Sequence, residues 1–455
     1  MSDTERVKTA ALDMSAEALF VEPVPRLIGH LAVPGDKSIS HRAVLLGAIC
    51  DGETKVTGFG RSADTEATIG AVRTLGIEVY EHGHETLRVF GKGLRGLTQP
   101  TGPIDCANAG TLVRLVAGIL AGQEGKEFEL VGDASLSARP MERITTPLTQ
   151  MGGACETDDG HLPLGIFGRR LRPLSYRLPV ASAQVKSAIL LAGLYAEGGE
   201  TTVVEPAPTR DHTERMLELA GARVARRSES VTVWPAERLL LEEVEVPGDF
   251  SSAAPFLVAA TLVPGSELHI HGVNLNPRRT GLLDILERMG ARITVYSRRL
   301  IGGEPGGDLE VESAPLVGTS VGAAEVPLAI DELPLVALAA AAARGRTVVS
   351  GAGELRAKET DRIEATVDAL RALGVRARAR EDGFEVTGVP GRLRGGRIES
   401  RGDHRIAMLG AVAGLASREG VRIAGADAVA VSFPGFFEML AELRRTSAFE
   451  QPDRR

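Results

Sequence analysis

Nine residues, 34–42 (PGDKSISHR), hold a tight turn, a lysine, two serines, a histidine and an arginine, and an apolar helical run at 43–49 follows directly. At a helix start, free backbone N–H groups and the positive end of the dipole attract a negative group. Lys37 and Arg42 add full charges there and Ser38 adds a donor. Asp36, Ser38 and Ser40 are equally good helix caps, so the segment alone also fits an ordinary capped helix. The two readings separate because the chain repeats the arrangement.

Polar residues collect before two sets of helical runs. The first set holds Lys37, Ser38 and Arg42; Asn108, Gly110, Thr111 and Arg114; Ser182 and Gln184; Ser251 and Ser252; Asp331 and Glu332; and Asp403, His404 and Arg405. The second set holds Arg139; Arg210, Asp211 and His212; Arg278 and Arg279; and Lys358, Glu359 and Arg362. Helix starts and cations converging on one cleft suit small substrates carrying phosphate and carboxylate. Asp331 and Glu359 stand out as carboxylates in a cationic setting, the pattern expected of proton-transfer groups. For Arg278 and Arg279 a solvated helix-end salt bridge is the expected role. For His212 and His404 a capping or supporting role is expected rather than metal ligation, since no HxxxH or clustered carboxylate spacing is present. No metal and no cofactor are expected.

The elements that must carry these residues recur about every 70 residues, six times from Leu31 onward. Each turn runs from a short strand through an apolar helix, a strand and an amphipathic helix ending in Gly, as at Gly76 and Gly290, to closing strands. The PGD at 247–249 repeats the PGD at 34–36, which divides the six turns into two sets of three. The expected organisation is a leader at 1–25 without fixed structure, one domain from 26–35 plus 247–455, and an inserted domain at 36–246.

Composition narrows the function. The 455 residues carry a net charge of −8, 43% hydrophobic and 25% charged residues, and 4% aromatics. That is a globular chain with no run of about 20 apolar residues, so no membrane partner is expected. Acidity and few aromatics argue against a nucleic-acid partner. Cys50, Cys106 and Cys155 show no pairing or metal spacing and read as free thiols in a reducing compartment. The first residues lack a signal-peptide pattern, so a cytoplasmic protein, expected as a monomer, follows.

In order, PGDKSISHR, NAGT, SARPM, SAQVKSA, TRDHTE, IDE, AKETDR, GDHRIAM and SFPGFFE resemble the motifs of the enolpyruvyl transferases, in the branch that acts on shikimate 3-phosphate. The resemblance implies an α/β fold, a two-domain inside-out α/β barrel, each domain three copies of a βαβαββ-type repeat. It implies transfer of the enolpyruvyl group of phosphoenolpyruvate to the 5-hydroxyl of shikimate 3-phosphate with release of phosphate. Carried over, Lys37, Ser38, Arg42, Ser182, Gln184, Arg210, Asp331 and Lys358 bind shikimate 3-phosphate. Lys37, Asn108, Gly110, Thr111, Arg139, Gln184, Arg362 and Arg405 bind phosphoenolpyruvate. Lys37, Asp331 and Glu359 are the implied catalytic residues, Asp331 taking the hydroxyl proton and Glu359 protonating the methylene carbon. Many members carry a lysine where this chain has Val431, and this form resembles the branch known for glyphosate-tolerant members. Yet position 110 is Gly, where that tolerance is linked to Ala, so glyphosate is an expected inhibitor. The rivals are the sister enzyme acting on UDP-N-acetylglucosamine, whose reactive cysteine has no counterpart at 132–140, and a non-catalytic anion-binding repeat protein.

Overall fold

Six helices lack a polar face: Lys37–Ile49, Gly110–Ala121, Ala183–Gly193, Phe250–Leu262, Leu333–Ala342 and His404–Ala416 are buried along most of their length. A helix that is apolar all round must be surrounded by other elements. In this computed structural model, which describes residues 18–449, sheets and outer helices do so. Among the described residues, five sheets have four strands and one has three. Ile104–Asp105 shows the plan: it pairs in parallel with Glu127–Val131, which pairs antiparallel with His161–Phe167, itself in a hairpin with Ala154–Asp158. One inner helix and one outer helix connect these strands, so the unit is βαβαββ, and the whole is an inside-out α/β barrel in two halves. At the ends of outer helices, Gly76 and Gly290 take φ of 84° and 97°, the left-handed closure that a side chain would strain.

The two halves exchange strands. Ile28–Ala32 pairs in parallel with Glu267–Asn274, and Glu243–Glu245 pairs in parallel with Asp51–Thr57. Each PGD thus follows a strand belonging to the other half's sheet. Where the two connections pass, the Asp36 N–H donates to the Pro247 carbonyl and the Asp249 N–H to the Pro34 carbonyl, both at 2.8 Å. A Cβ on Gly35 would lie 1.8 Å from the Gly58 carbonyl oxygen, so only glycine fits this crossing. Apolar side chains form two separate cores, one drawn from 39–246 and one from 19–33 with 250–443.

Two expectations need correction. Residues 18–25, assigned to a leader without fixed structure, include a strand: Leu19–Val21 pairs antiparallel with Val421–Ala424, and Leu19, Val21 and Val24 are buried. Three apolar residues are enough here because they cover an exposed sheet edge. The rest of that leader, 1–17, lies outside the described residues. Among the described residues the sixth turn also lacks a closing hairpin: they end in the helix Phe436–Phe449, and Leu19–Val21 takes the third place in that sheet. Among the described residues no helix is long and apolar enough to cross a membrane.

Candidate active site

Local sequence brings the site together because its residues sit at helix starts. Lys37 and Ser38 open Lys37–Ile49, which Asp36 caps by accepting the Ile39 N–H at 3.0 Å. Gly110 and Thr111 open Gly110–Ala121 after a strained turn in which Ala107 has φ of 48°. Gln184 lies in the first turn of Ala183–Gly193, Arg362 opens Arg362–Ala372, and His404 and Arg405 open His404–Ala416. Arg210, Arg279 and Asp331 each stand two residues before a helix.

These positions converge. Lys37, Ser38, Asn108, Gly110, Thr111, Arg139, Gln184, Arg210, Asp331, Lys358, Glu359, Arg362 and Arg405 line one cleft between the halves, together with Asp64, Asp249, Arg279 and His404. Ser182 lines its widening, beside Gln184 and Arg210. Seven cations and four carboxylates face this space in a chain whose net charge is −8. Such local excess attracts anions that the molecule as a whole repels.

Asp331 is nearly enclosed by cations. Its oxygens lie 3.4 Å from Arg279, 3.5 Å from Arg210, 3.4 Å from Arg362 and 3.8 Å from Lys358. Burial would raise its pKa, but Lys358, Arg210, Arg405 and Arg279 outweigh that and hold it well below the usual carboxylate range. Glu359 accepts from Arg362 at 2.5 Å and sits 3.7 Å from Arg139. Its burial is likewise outweighed, chiefly by Arg362, with Arg139 and Lys358, and its pKa is lowered. Burial and the neighbouring Arg405, Lys37 and Arg362 push His404 down to about 3, so it enters the cleft as a neutral ring.

The cations are themselves held. Arg362 donates to Asp403 at 2.8 Å, and Asp403 also caps the helix carrying Arg405. Arg139 donates to Asn108 at 2.8 Å, and Asn108 donates to Asp133 at 2.7 Å. Gln184 accepts from Arg114 at 2.6 Å and donates to Thr111 at 3.0 Å. Lys37 pairs with Asp64 at 2.8 Å. The Nε atoms of Arg139 and Arg405 are buried with no hydrogen-bond partner among the described residues, donors suited to an anion.

Three placements differ from the expectations. Arg42 does not line the cleft: it is buried behind Ser38, donating to the Ser38 carbonyl, Thr213 and Ser187 at 2.7–2.9 Å. Each of its three nitrogens donates within the protein, so it holds the Ser38 turn. Arg279, read as a solvated salt bridge, is 5% exposed and joins Asp249, Asp331, Glu332 and Ser251. Asp331 and Glu332 come from the next turn of the repeat and Asp249 from the start of its own, pairings that spacing alone does not show. Asp64, which no motif singled out, is the third. Its only advance signal is the capped start of Ala63–Thr74. His212 has the supporting role expected of it, its Nδ1 lying 2.8 Å from buried Glu304. Val431 lies outside the cleft lining.

The comparisons with known proteins follow the same geometry. The family model described as EPSP synthase (3-phosphoshikimate 1-carboxyvinyltransferase) matches residues 21–440. Relatives named 3-phosphoshikimate 1-carboxyvinyltransferase from Acidithiobacillus ferrooxidans and Salinibacter ruber are 52% and 49% identical, over 92% and 93% of this chain and 95% and 98% of their own lengths. The solved EPSP synthase of Acinetobacter baumannii is 42% identical with a TM-score of 0.85, covering 94% of this chain and 98% of its own. With the motifs, the six-unit fold and a cationic cleft that holds Asp331 and Glu359, this chain belongs to the EPSP synthase family.

Proposed function

We propose that the cleft transfers the enolpyruvyl group of phosphoenolpyruvate to the 5-hydroxyl of shikimate 3-phosphate and releases phosphate. The observation that carries this reading is the pair Asp331 and Glu359, facing one space among Lys37, Arg139, Arg210, Arg279, Lys358, Arg362 and Arg405. Shikimate 3-phosphate takes Ser38, Ser182, Gln184, Arg210 and Lys358, with its hydroxyl toward Asp331. Phosphoenolpyruvate takes Asn108, Gly110, Thr111, Arg139, Arg362 and Arg405, with Lys37 reaching both substrates.

The electrostatics make the acid depend on the substrates. With the cleft free of ligand, Arg362, Arg139 and Lys358 keep Glu359 ionised. Bound phosphate and carboxylate groups neutralise those cations, and Glu359 regains the proton affinity a general acid needs. It protonates the methylene carbon, and positive charge develops at the neighbouring carbon. The 5-hydroxyl attacks there as Asp331 takes its proton. The tetrahedral intermediate then expels phosphate toward the cations around it, while the new methyl group returns a proton to the Glu359 carboxylate and the carbon–carbon double bond re-forms.

The same reading makes 36–246 the inserted domain and 26–35 with 247–455 the other, closing around substrate and excluding water. A cytoplasmic monomer inhibited by glyphosate in competition with phosphoenolpyruvate completes it. Phosphate release by purified protein tests the reaction. Release is expected with phosphoenolpyruvate and shikimate 3-phosphate and not with UDP-N-acetylglucosamine in its place; the reverse pattern, or none in either, overturns the proposal.

A further inference from the structure

Away from the cleft, one face of the sheet containing Glu267–Asn274 gathers three of the chain's nine histidines. His269 and His271 lie two residues apart on one strand and so share a face, and His269 is directly opposite His30 on Ile28–Ala32. The rings of His30 and His269 stack at 4.5 Å, and those of His30 and His271 at 5.3 Å. On the other side of His269 its register partner is Glu310, and Glu267 lies two residues before it on the same strand. One donor atom from each of Glu267, His269 and Glu310 lies within 4.8 Å of the others.

We propose that Glu267, His269 and Glu310 form a surface site for a divalent ion of the zinc type, separate from the transferase reaction. Mixed imidazole and carboxylate donors suit zinc, copper or nickel rather than magnesium or calcium. A tetrahedral zinc with bonds of 2.0–2.2 Å needs its donors about 3.3 Å apart. Glu267 is exposed, and a change of its side-chain rotamer would close the remaining gap. A second observation points the same way: the Tyr296 hydroxyl lies 3.2 Å from His269 Nδ1, while Nε2 lies 3.7 Å from Glu267. A hydrogen bond from Nδ1–H to the tyrosine leaves the Nε2 lone pair directed at the carboxylate, the second-sphere arrangement metal-bound histidines use. Glu310 has no cationic partner among the described residues, whereas its neighbours Asp308 and Glu312 pair with Arg299 and Arg292. The ion ties together adjacent strands of this sheet.

Titration of metal-free protein with Zn²⁺ in phosphate-free buffer, followed by calorimetry, tests the assignment. One ion per chain is expected at micromolar or tighter affinity. His269→Ala and Glu310→Gln should each abolish saturable binding, and Tyr296→Phe should weaken it about tenfold. His84→Ala, at an exposed histidine elsewhere, should bind as the parent does, and all four variants should keep the parent's rate of phosphate release. Absence of saturable binding in the parent overturns the site. So does undiminished binding in His269→Ala, or a loss seen only when His30 and His271 are replaced, which would assign the ion to that pair, 3.1 Å apart.

Discussion

Across the cleft, Lys37, Ser38, Asn108, Thr111, Arg139, Gln184 and Arg210 from the first three units face Arg279, Asp331, Lys358, Glu359, Arg362 and Arg405 from the last three. The first wall holds a single carboxylate, Asp64, tied to Lys37. The second holds Asp249, Asp331 and Glu359, and both proton-transfer candidates are among them. The first wall is therefore rich in donors, and the second combines cations with the two proposed proton-transfer groups. Contacts between Arg210 and Asp331 at 3.5 Å and between Arg139 and Glu359 at 3.7 Å exist only because the walls meet. The comparison teaches that neither half alone holds a complete site, and that substitutions on the two walls should fail in different ways.

The largest expected effect is on the second wall. Asp331→Asn and Glu359→Gln should each lower kcat roughly a hundred- to ten-thousandfold, the range of a general acid or base, with substrate affinities changed only a few-fold. Steady-state kinetics beside equilibrium binding separates the two quantities. Arg279 comes next, because removing it strands Asp249, Asp331 and Glu332 beside one another. Arg279→Ala should destabilise the fold by about 3–5 kcal/mol, measured by denaturant unfolding, where a solvated salt bridge would cost under about 1 kcal/mol.

On the first wall the effect should fall on binding. A Cβ on Gly110 would sit 3.0 Å from Arg114 Nη1 and 3.1 Å from Arg139 Nη1, tight contacts with flexible side-chain ends. Gly110→Ala should therefore shift Arg139, raise KM for phosphoenolpyruvate several-fold and weaken glyphosate further, with KM for shikimate 3-phosphate unchanged. Equal inhibition constants for parent and variant would remove that idea.

The smallest effect separates the two PGD turns. Burial raises the Asp36 pKa, but His212, Arg279 and hydrogen bonds from Ile39 and Asn274 bring it below its ordinary value. Asp249 goes the other way: burial raises it, Asp36 adds to the rise, and Arg279 and Arg405 do not cancel it. A lowered carboxyl stabilises the fold above the ordinary carboxylate range and loses that contribution as pH falls. A raised one stabilises at low pH and loses its contribution as pH rises. Asp36→Asn keeps a capping oxygen but loses the charge facing Arg279, so it should destabilise at neutral pH and less on acidification. Asp249→Asn should gain on the parent as pH rises from acid to neutral, read as the difference in Tm.

Much of this molecule could be read from its sequence because its polar residues sit at helix starts, where type and position go together. The repeated unit was legible because apolar helices and glycine closures recur in the same order, and the PGD pair marked the junction between halves. What escaped depends on contacts between units. Arg42 carries the charge of a binding residue, yet Thr213 and Ser187, from distant helices, take up its guanidinium. Arg279 looked like a surface residue because Glu332 and Asp249 approach it only in the fold. Leu19–Val21 is too short to show a pattern and is a strand because an edge awaits it. The direction in which Glu359 titrates follows from cations on both walls, which no local window contains.

The most direct test of the division between walls follows deuterium from solvent into the methylene group of phosphoenolpyruvate, with saturating shikimate 3-phosphate in D₂O. Reversible protonation at that carbon by an acid on the second wall predicts incorporation in the parent and in a first-wall variant, Arg210→Ala, once shikimate 3-phosphate saturates it. Glu359→Gln should bind both substrates and incorporate none. Incorporation by Glu359→Gln at the parent's rate would contradict the account and place the acid elsewhere in the cleft.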